Sequence, residues 1–514
     1  MSNKKVQQNS SPIKGLKESF AKQKIAFTNR ASAVFPLYLR EDTDLHIVFL
    51  NYWTIKNNIP MDMLSINIKI YDDLGNLITV HVIDKLSDHN QISIRNILKN
   101  EPGLDLNFLD GTTQIEIIST ENLRFSFPAI IAIYQAKDLF SAVHSAGRIK
   151  NSDELQKISY TDETNWICKI EKDITPFFHF FNGPQLPKKK NITVTLYRTK
   201  DNSIISTKDI DISNIPELGS KFFTAENIFS KSDLKEECFM SVNVEHNCIF
   251  PRLVVGNLFK NINFLEATHS FPIIKGVDHI KSDKKEPVYN ALLCGFTSED
   301  LSLDMSVFPT NCEGEFQADF LTQKYGDKII KFSGNSERFD SKKLNQMQTF
   351  SLDNDEQFLE LGLIGKSVPS RINASFIYRV KNKSGPDYTT NIANGAISHV
   401  FPPRHRQWGH GYMGNNFETN IHIRNTSHNP KETKDGNGTI VVYGKDTKII
   451  HKFKIKAESS IAIQLADIIP KNNSAVYNDD NFISWIMEID IPNCDSHWVS
   501  FRKTDGAIFG EHSF

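Results

Sequence analysis

The feature that most limits what this chain can fold into is a histidine that returns at long, similar intervals. "AVHSAG" surrounds His144, "ATHSFP" surrounds His269, "ISHVFP" surrounds His399 and "GEHSF" surrounds His512, while "SAVFPL" at 32–37 keeps Val-Phe-Pro but has Ala33 in the histidine's place. Five such segments enclose four units. An unrelated signal keeps step with them. "LSINIKIYDDLGNLI" at 64–78, "NITVTLYRTKDNSII" at 191–205 and "GTIVVYGKDTKII" at 438–450 each alternate apolar and polar residues, reach an aromatic, turn through polar residues and resume an apolar run. That is the pattern of a β-hairpin. "EFQADFLTQKYGDKII" at 315–330 is a weaker version. From the aromatic to the next histidine the chain runs 73 residues (Tyr71 to His144), 72 (Tyr197 to His269), 79 (Phe320 to His399) and 69 (Tyr443 to His512).

Between these landmarks "ISIRNILKN" (92–100), "FFTAENIFSK" (222–231) and "SIAIQLADIIPK" (460–471) correspond. Each reads as an edge strand or short helical turn that carries an apolar pair into a core. "FSFPAII", "CIFPRLVV" and "KSVPSRI" place Pro128, Pro251 and Pro369 at a common strand edge, where no ladder N–H is needed.

The fold class that follows is all-β, a tandem array of about four β-sandwich units, Ig-like or jelly-roll, of roughly 110–130 residues each. The units are 31–143, 144–268, 269–398 and 399–514, after a polar, basic tail at 1–30. A propeller fits less well, because a four-stranded blade needs only about 40–50 residues.

Composition narrows the function classes. The 59 basic and 61 acidic side chains of this 514-residue chain nearly cancel, which speaks against a sequence-wide footprint for nucleic acid. Apolar runs such as "FPAIIAIY" at 127–134 are far shorter than the ~20 residues of a membrane-spanning helix. The N-terminal segment has no apolar core of a secretory signal. Six cysteines (Cys168, Cys238, Cys248, Cys294, Cys312, Cys494) lie scattered without a CxxC pair, which fits reduced thiols and a cytoplasmic location.

Two constellations carry chemistry. His144, His269, His399 and His512 occupy equivalent corners, and a closed arrangement of the units would gather them around one axis, where imidazoles could bind zinc, iron or copper. The plainer reading has each histidine bonding a neighbouring carbonyl at a joint between units. The second constellation is "SHVFPPRHRQWGHGYMGNNFETNIHIRN" at 398–425, which holds His399, His405, His410 and His422. Its prolines and glycines read as a loop leading into the strand "TNIHIRN". Those four histidines are candidate metal ligands, although no HExxH or similar spacing is present. Arg404 and Arg406 could fork onto a carboxylate or phosphate while Trp408 and Tyr412 offer aromatic faces, chemistry that suits an anionic sugar. The plainer reading is an interunit linker whose Trp fills a joint.

Glu511 and His512 are adjacent, as an acid-base dyad would need, but neighbours on a strand usually point apart. "GLIGKSV" at 362–368 has Glu360 where a phosphate loop needs its first glycine. The leading expectation is therefore a non-enzymatic binding or scaffold protein without a cofactor. It would recognise a glycan, an anionic small molecule or a protein through loops near the third–fourth boundary. The alternative is a metal-dependent enzyme, with non-haem iron or zinc held by histidines at the repeat boundaries.

Overall fold

Where apolar and polar residues alternate, one face of a strand is driven inward and the other is left to solvent, and the first, second and fourth hairpin segments fold this way. In Leu64–Asp72 the side chains of Leu64, Ile66, Ile68 and Ile70 are buried, and the strand pairs antiparallel with Leu77–Ile83. Asn191–Arg198 pairs with Ile204–Asp211, and Gly436–Tyr443 with Lys448–Ile455. The third segment differs: Phe316–Lys324 pairs antiparallel with Ser336–Asp340, beyond the 315–330 expected for that hairpin, and 325–330, its expected second run, lie outside the described residues.

The structure, a computed structural model, describes residues 28–513 apart from 120–129, 145–147, 150–158, 274–278, 282–287, 311–315, 325–335, 341–345, 353–356, 384–386, 398–402, 426–433, 471–481 and the isolated positions 165, 169, 247, 250, 251, 370, 415, 446 and 493. Most of the tail expected at 1–30, with His399, Pro128 and Pro251, lies outside the described residues, while a strand already begins at Thr28.

The fold is an all-β array of sandwiches, and one strand order recurs four times. Numbering the principal strands of each unit one to eight, one sheet runs first, sixth, third, fourth and the other fifth, second, seventh, eighth. In the N-terminal unit these sheets are Thr28–Arg40, Phe108–Ser119, Leu64–Asp72, Leu77–Ile83 and His89–Ser93, Thr43–Leu50, Ile130–Ala136, Leu139–His144. The second unit has Ser159–Thr164, Cys238–His246, Asn191–Arg198, Ile204–Asp211 and Ser220–Thr224, Ile174–Phe181, Val254–Phe259, Phe264–His269. The third has Val288–Phe296, Gln357–Gly365, Phe316–Lys324, Ser336–Asp340 and Gln348–Leu352, Leu301–Val307, Arg371–Val380, Thr390–Ile397. The last has Arg406–Tyr412, Phe482–Ile489, Gly436–Tyr443, Lys448–Ile455 and Ser459–Gln464, Phe417–Asn425, Cys494–Arg502, Ile508–His512. In three units the fifth strand runs straight into a one-turn helix, Ile94–Leu98, Ala225–Ile228 or Leu465–Ile468, each burying at least one apolar residue. Short extra pairs, such as His279–Lys281 with Ser367–Pro369, decorate this plan and place Pro369 in a two-stranded ribbon.

What positions the functional candidate is the eighth strand, the outer strand of its sheet in every unit. An outer strand normally leaves a row of unpaired backbone groups that must be covered. Here the four outer strands cover one another. Leu139–His144 packs on Phe264–His269 and on Ile508–His512, and Thr390–Ile397 closes the ring by packing on the latter two. Ser141 Oγ accepts from the N–H of Ala267 (2.7 Å) and donates to its carbonyl (3.2 Å), tying the first unit to the second. Gly510 allows the last strand to come close: a Cβ there would sit 2.4 Å from the Trp498 carbonyl oxygen and 3.2 Å from Ile392 of the third unit.

Apolar cores run across the joints as well. Phe140 of the first unit packs among Tyr412, Phe417, Phe482 and Phe509 of the last, with ring centroids 4.7–5.6 Å apart. Ala33 does not mark an outer strand. It lies in the first strand of its unit, fully buried opposite Ile115, so "SAVFPL" is not a fifth copy of the histidine corner.

The expectation of a loop from 398 into "TNIHIRN" is corrected in part. Residues Arg406–Tyr412 form a strand paired with Phe482–Ile489. Gly414 does lie in a turn between this strand and Phe417–Asn425, but Gly409 and Gly411 make room for neighbouring side chains instead. A Cβ on Gly409 would lie 2.4 Å from Trp485, and one on Gly411 2.7 Å from Thr419.

Candidate metal centre

The last residue of three outer strands is a histidine, and the ring of strands brings these three side chains to one place. The His144 and His269 rings meet edge to face at 4.2 Å between centroids, His144 and His512 at 4.7 Å, and His269 and His512 at 5.8 Å. Glu511 joins them. One candidate ligand atom from each of His144, His269, Glu511 and His512 lies within 4.8 Å of the others, and the first three of these residues are buried. Among the described residues this is the only group of three or more His, Cys, Asp or Glu close enough to share an ion. It draws on the first, second and last units; His399, which would be the third unit's member, lies outside the described residues.

The recurring His-Ser pair has a local chemical meaning. His269 Nδ1 lies 3.0 Å from the carbonyl oxygen of Ser270, and His512 Nδ1 lies 3.2 Å from that of Ser513. A carbonyl can only accept, so each Nδ1 carries the proton and the lone pair is left on Nε2. Bonds of this kind fix the tautomer and orientation of metal-binding imidazoles. The plainer reading of these histidines and the metal reading therefore describe the same geometry.

Glu511 sits between two rings. Its Oε2 is 3.2 Å from His144 Nδ1, and its Oε1 accepts from the His512 backbone N–H at 2.9 Å and lies 3.8 Å from His512 Nε2. Burial pushes its carboxyl up from the ordinary range, while the His512 charge pulls the other way. All three imidazoles are held below the ordinary histidine value, in each case chiefly by burial, with neighbouring charges adding to it at His144 and His269. Neutral rings of this kind present the lone pairs a metal requires. One cation already stands at the cluster: Arg252 Nη1 is 3.3 Å from His144 Nε2 and 3.3 Å from both ring nitrogens of His269.

The other candidates are placed elsewhere. Trp408 and Tyr412 are buried, packed against Tyr52 and Phe140, and offer no exposed aromatic face. Arg406 is bound to Glu488 (3.0 Å) and to the Ile55 carbonyl (2.8 Å), and Arg404 is exposed in a turn with φ 60°. His405 is half-buried, and burial lowers its pKa. His410 shares the Ser484 hydroxyl with His89, each Nδ1 at 2.8 Å, in a buried joint between the first and last units. His422 stacks on Phe296 and lies opposite His497, which in turn lies opposite His512 on the next strand. Imidazoles thus stand in a row across three neighbouring strands, but only His512 reaches the cluster. His497 bonds Tyr378 Oη of the third unit at 2.8 Å.

Sequence reasoning missed Arg252, His89 and the part played by Glu511. Arg252 follows Pro251 in "CIFPRLVV" and has no counterpart in "FSFPAII", so the repeat gave no signal for it.

No protein-family profile and no curated protein sequence matches the chain. Among solved structures it is similar to the native conformation of Escherichia coli alpha-2-macroglobulin, at 8% identity and a TM-score of 0.10, covering 94% of this chain and 28% of that one. A likeness this faint carries no argument, and the site is read from its own geometry.

Proposed function

We propose that this protein is a metal-binding scaffold in which one transition-metal ion, zinc or ferrous iron, joins β-sandwich units at the axis of the array. The observation that supports this reading is the convergence of His144, His269, His512 and Glu511 from three units within 4.8 Å. Three imidazoles and a carboxylate form a donor set that suits either ion. Four protein donors in a buried place are typical of a closed structural site. In this account unit boundaries fall near the cluster histidines, and the ion acts as a clasp between units whose sheets already pack together. Recognition of a partner would then belong to the outer surface of the array.

A second reading, a metal-dependent enzyme, is favoured by one observation. The His512 side chain is 22% exposed, which gives the cluster a side toward solvent where a coordination position could open. Metal analysis of protein purified without an affinity tag tests the proposal. A stoichiometric ion that is lost in both His269→Ala and His512→Ala supports it, and metal content unchanged in those variants refutes it.

A further inference from the structure

We infer that Arg252 is the resident cation of the metal-free cluster and must be displaced when a metal ion enters, so that this residue sets how tightly the site holds metal. The inference rests on the metal reading above.

Its Nη1 stands 3.3 Å from His144 Nε2 and equally far from both nitrogens of the His269 ring. Zinc or iron bound to these imidazoles would lie about 2.0–2.1 Å from each coordinating nitrogen. The ion and the guanidinium would then occupy nearly the same space, and two like charges so close together repel strongly in a buried setting. Only one of them can be there at a time.

Chemistry and packing both equip Arg252 for the exchange. A guanidinium keeps its charge at any physiological pH and can only donate hydrogen bonds, so it answers the lone pairs that a metal would otherwise take. The side chain is half-buried and lies over the Phe271 ring, 4.2 Å from the centroid, an aromatic face on which a cation can rest while its tip withdraws from the imidazoles. Metal loss would therefore leave the imidazole lone pairs facing a donor, and metal uptake must overcome the contacts that Arg252 gives up.

The test is a Zn2+ titration against a chromophoric chelator, using the full chain and the variants Arg252→Met, Arg252→Gln, Arg252→Lys and His269→Ala. Removing the charge should tighten zinc binding roughly ten- to hundredfold in both Arg252→Met and Arg252→Gln, the scale of a lost charged hydrogen bond. Arg252→Lys, which keeps the charge, should stay much closer to the parent protein. Zinc affinity in Arg252→Met and Arg252→Gln equal to or weaker than the parent's, with binding still abolished in His269→Ala, would overturn the displacement while leaving the metal site standing. Tightening in Arg252→Lys as large as in Arg252→Met would also overturn it, because charge would not be the cause. If neither the parent nor the uncharged variants bind zinc stoichiometrically, the metal reading itself fails. Should one uncharged variant not fold, the other carries the comparison.

Discussion

His144 and His512 belong to the first and last sandwich units, yet their rings meet edge to face with centroids 4.7 Å apart, and Glu511 bridges them through His144 Nδ1 at 3.2 Å. This contact requires the array to be a closed ring and not a string. In a string the ends of the outer strands would stand far apart, and each histidine would be a private feature of its own joint.

Phe140 is the apolar counterpart of that contact. Its ring touches four aromatics of the last unit and is 3% exposed. Phe140→Ala is expected to cost about 3–5 kcal/mol, and to loosen the first unit from the last. Urea unfolding should show a lower midpoint and a broader or split transition; a single, unshifted transition would show that the joint contributes little.

Gly409 lies beneath Trp485, where a Cβ would sit 2.4 Å from the indole. Gly409→Ala should destabilise the protein by about 1–3 kcal/mol through overpacking, although alanine ordinarily suits a strand interior better than glycine. Chemical denaturation checks this, and a neutral or stabilising effect would return residues 406–412 to the status of a loop.

These residues show where the sequence was legible. The hairpins could be read because alternation and turn residues are local: Ile66, Ile68 and Ile70 announce their buried face without knowledge of any partner. The recurring histidines could be read as a set. Their convergence could only be posed as one of two outcomes, because it depends on which sheet edges meet, and that is decided by contacts between units such as Ser141 with Ala267. Gly409 and Gly411 misled because a glycine that makes room for Trp485 or Thr419 looks the same in sequence as one that permits a turn. Glu511 was discounted for a sound local reason. Adjacent strand residues do point apart, but here the Glu511 side chain turns toward His144 of another unit.

Buried neutral imidazoles make stability depend on pH in a definite direction. Burial holds His89 down to about 4 and His497 and His179 down to about 3, below the ~6.5 of an unfolded chain. The unfolded state therefore binds more protons in that window. The stability these groups contribute is fully present above about pH 6.5 and is lost as pH falls, by up to ~1.4 kcal/mol per pH unit for each group. Glu511, with its raised pKa, acts in the opposite sense but is one group against several. Urea midpoints measured between about pH 7 and pH 5 should fall steadily with acidification; a flat profile would mean that these rings are not buried in the neutral form.

His269 is 1% exposed and touches both His144 and Arg252. His269→Ala should lower metal-free stability by about 2–4 kcal/mol, since it opens a cavity and takes a partner from the half-buried Arg252 guanidinium. Differential scanning calorimetry should show this loss, and a further one relative to the parent when zinc is added. Equal zinc stabilisation of both proteins would place the ion elsewhere.

The central claim is that the strand ring exists to bring donors from separate units onto one ion. Elemental analysis of tag-free protein, compared with His144→Ala, His269→Ala and His512→Ala, tests it most directly. The account predicts one zinc or iron per chain in the parent and loss of that ion in each variant, although the three residues come from three different units. An ion retained in all three variants, or none in the parent even after incubation with zinc and ferrous iron, would contradict it.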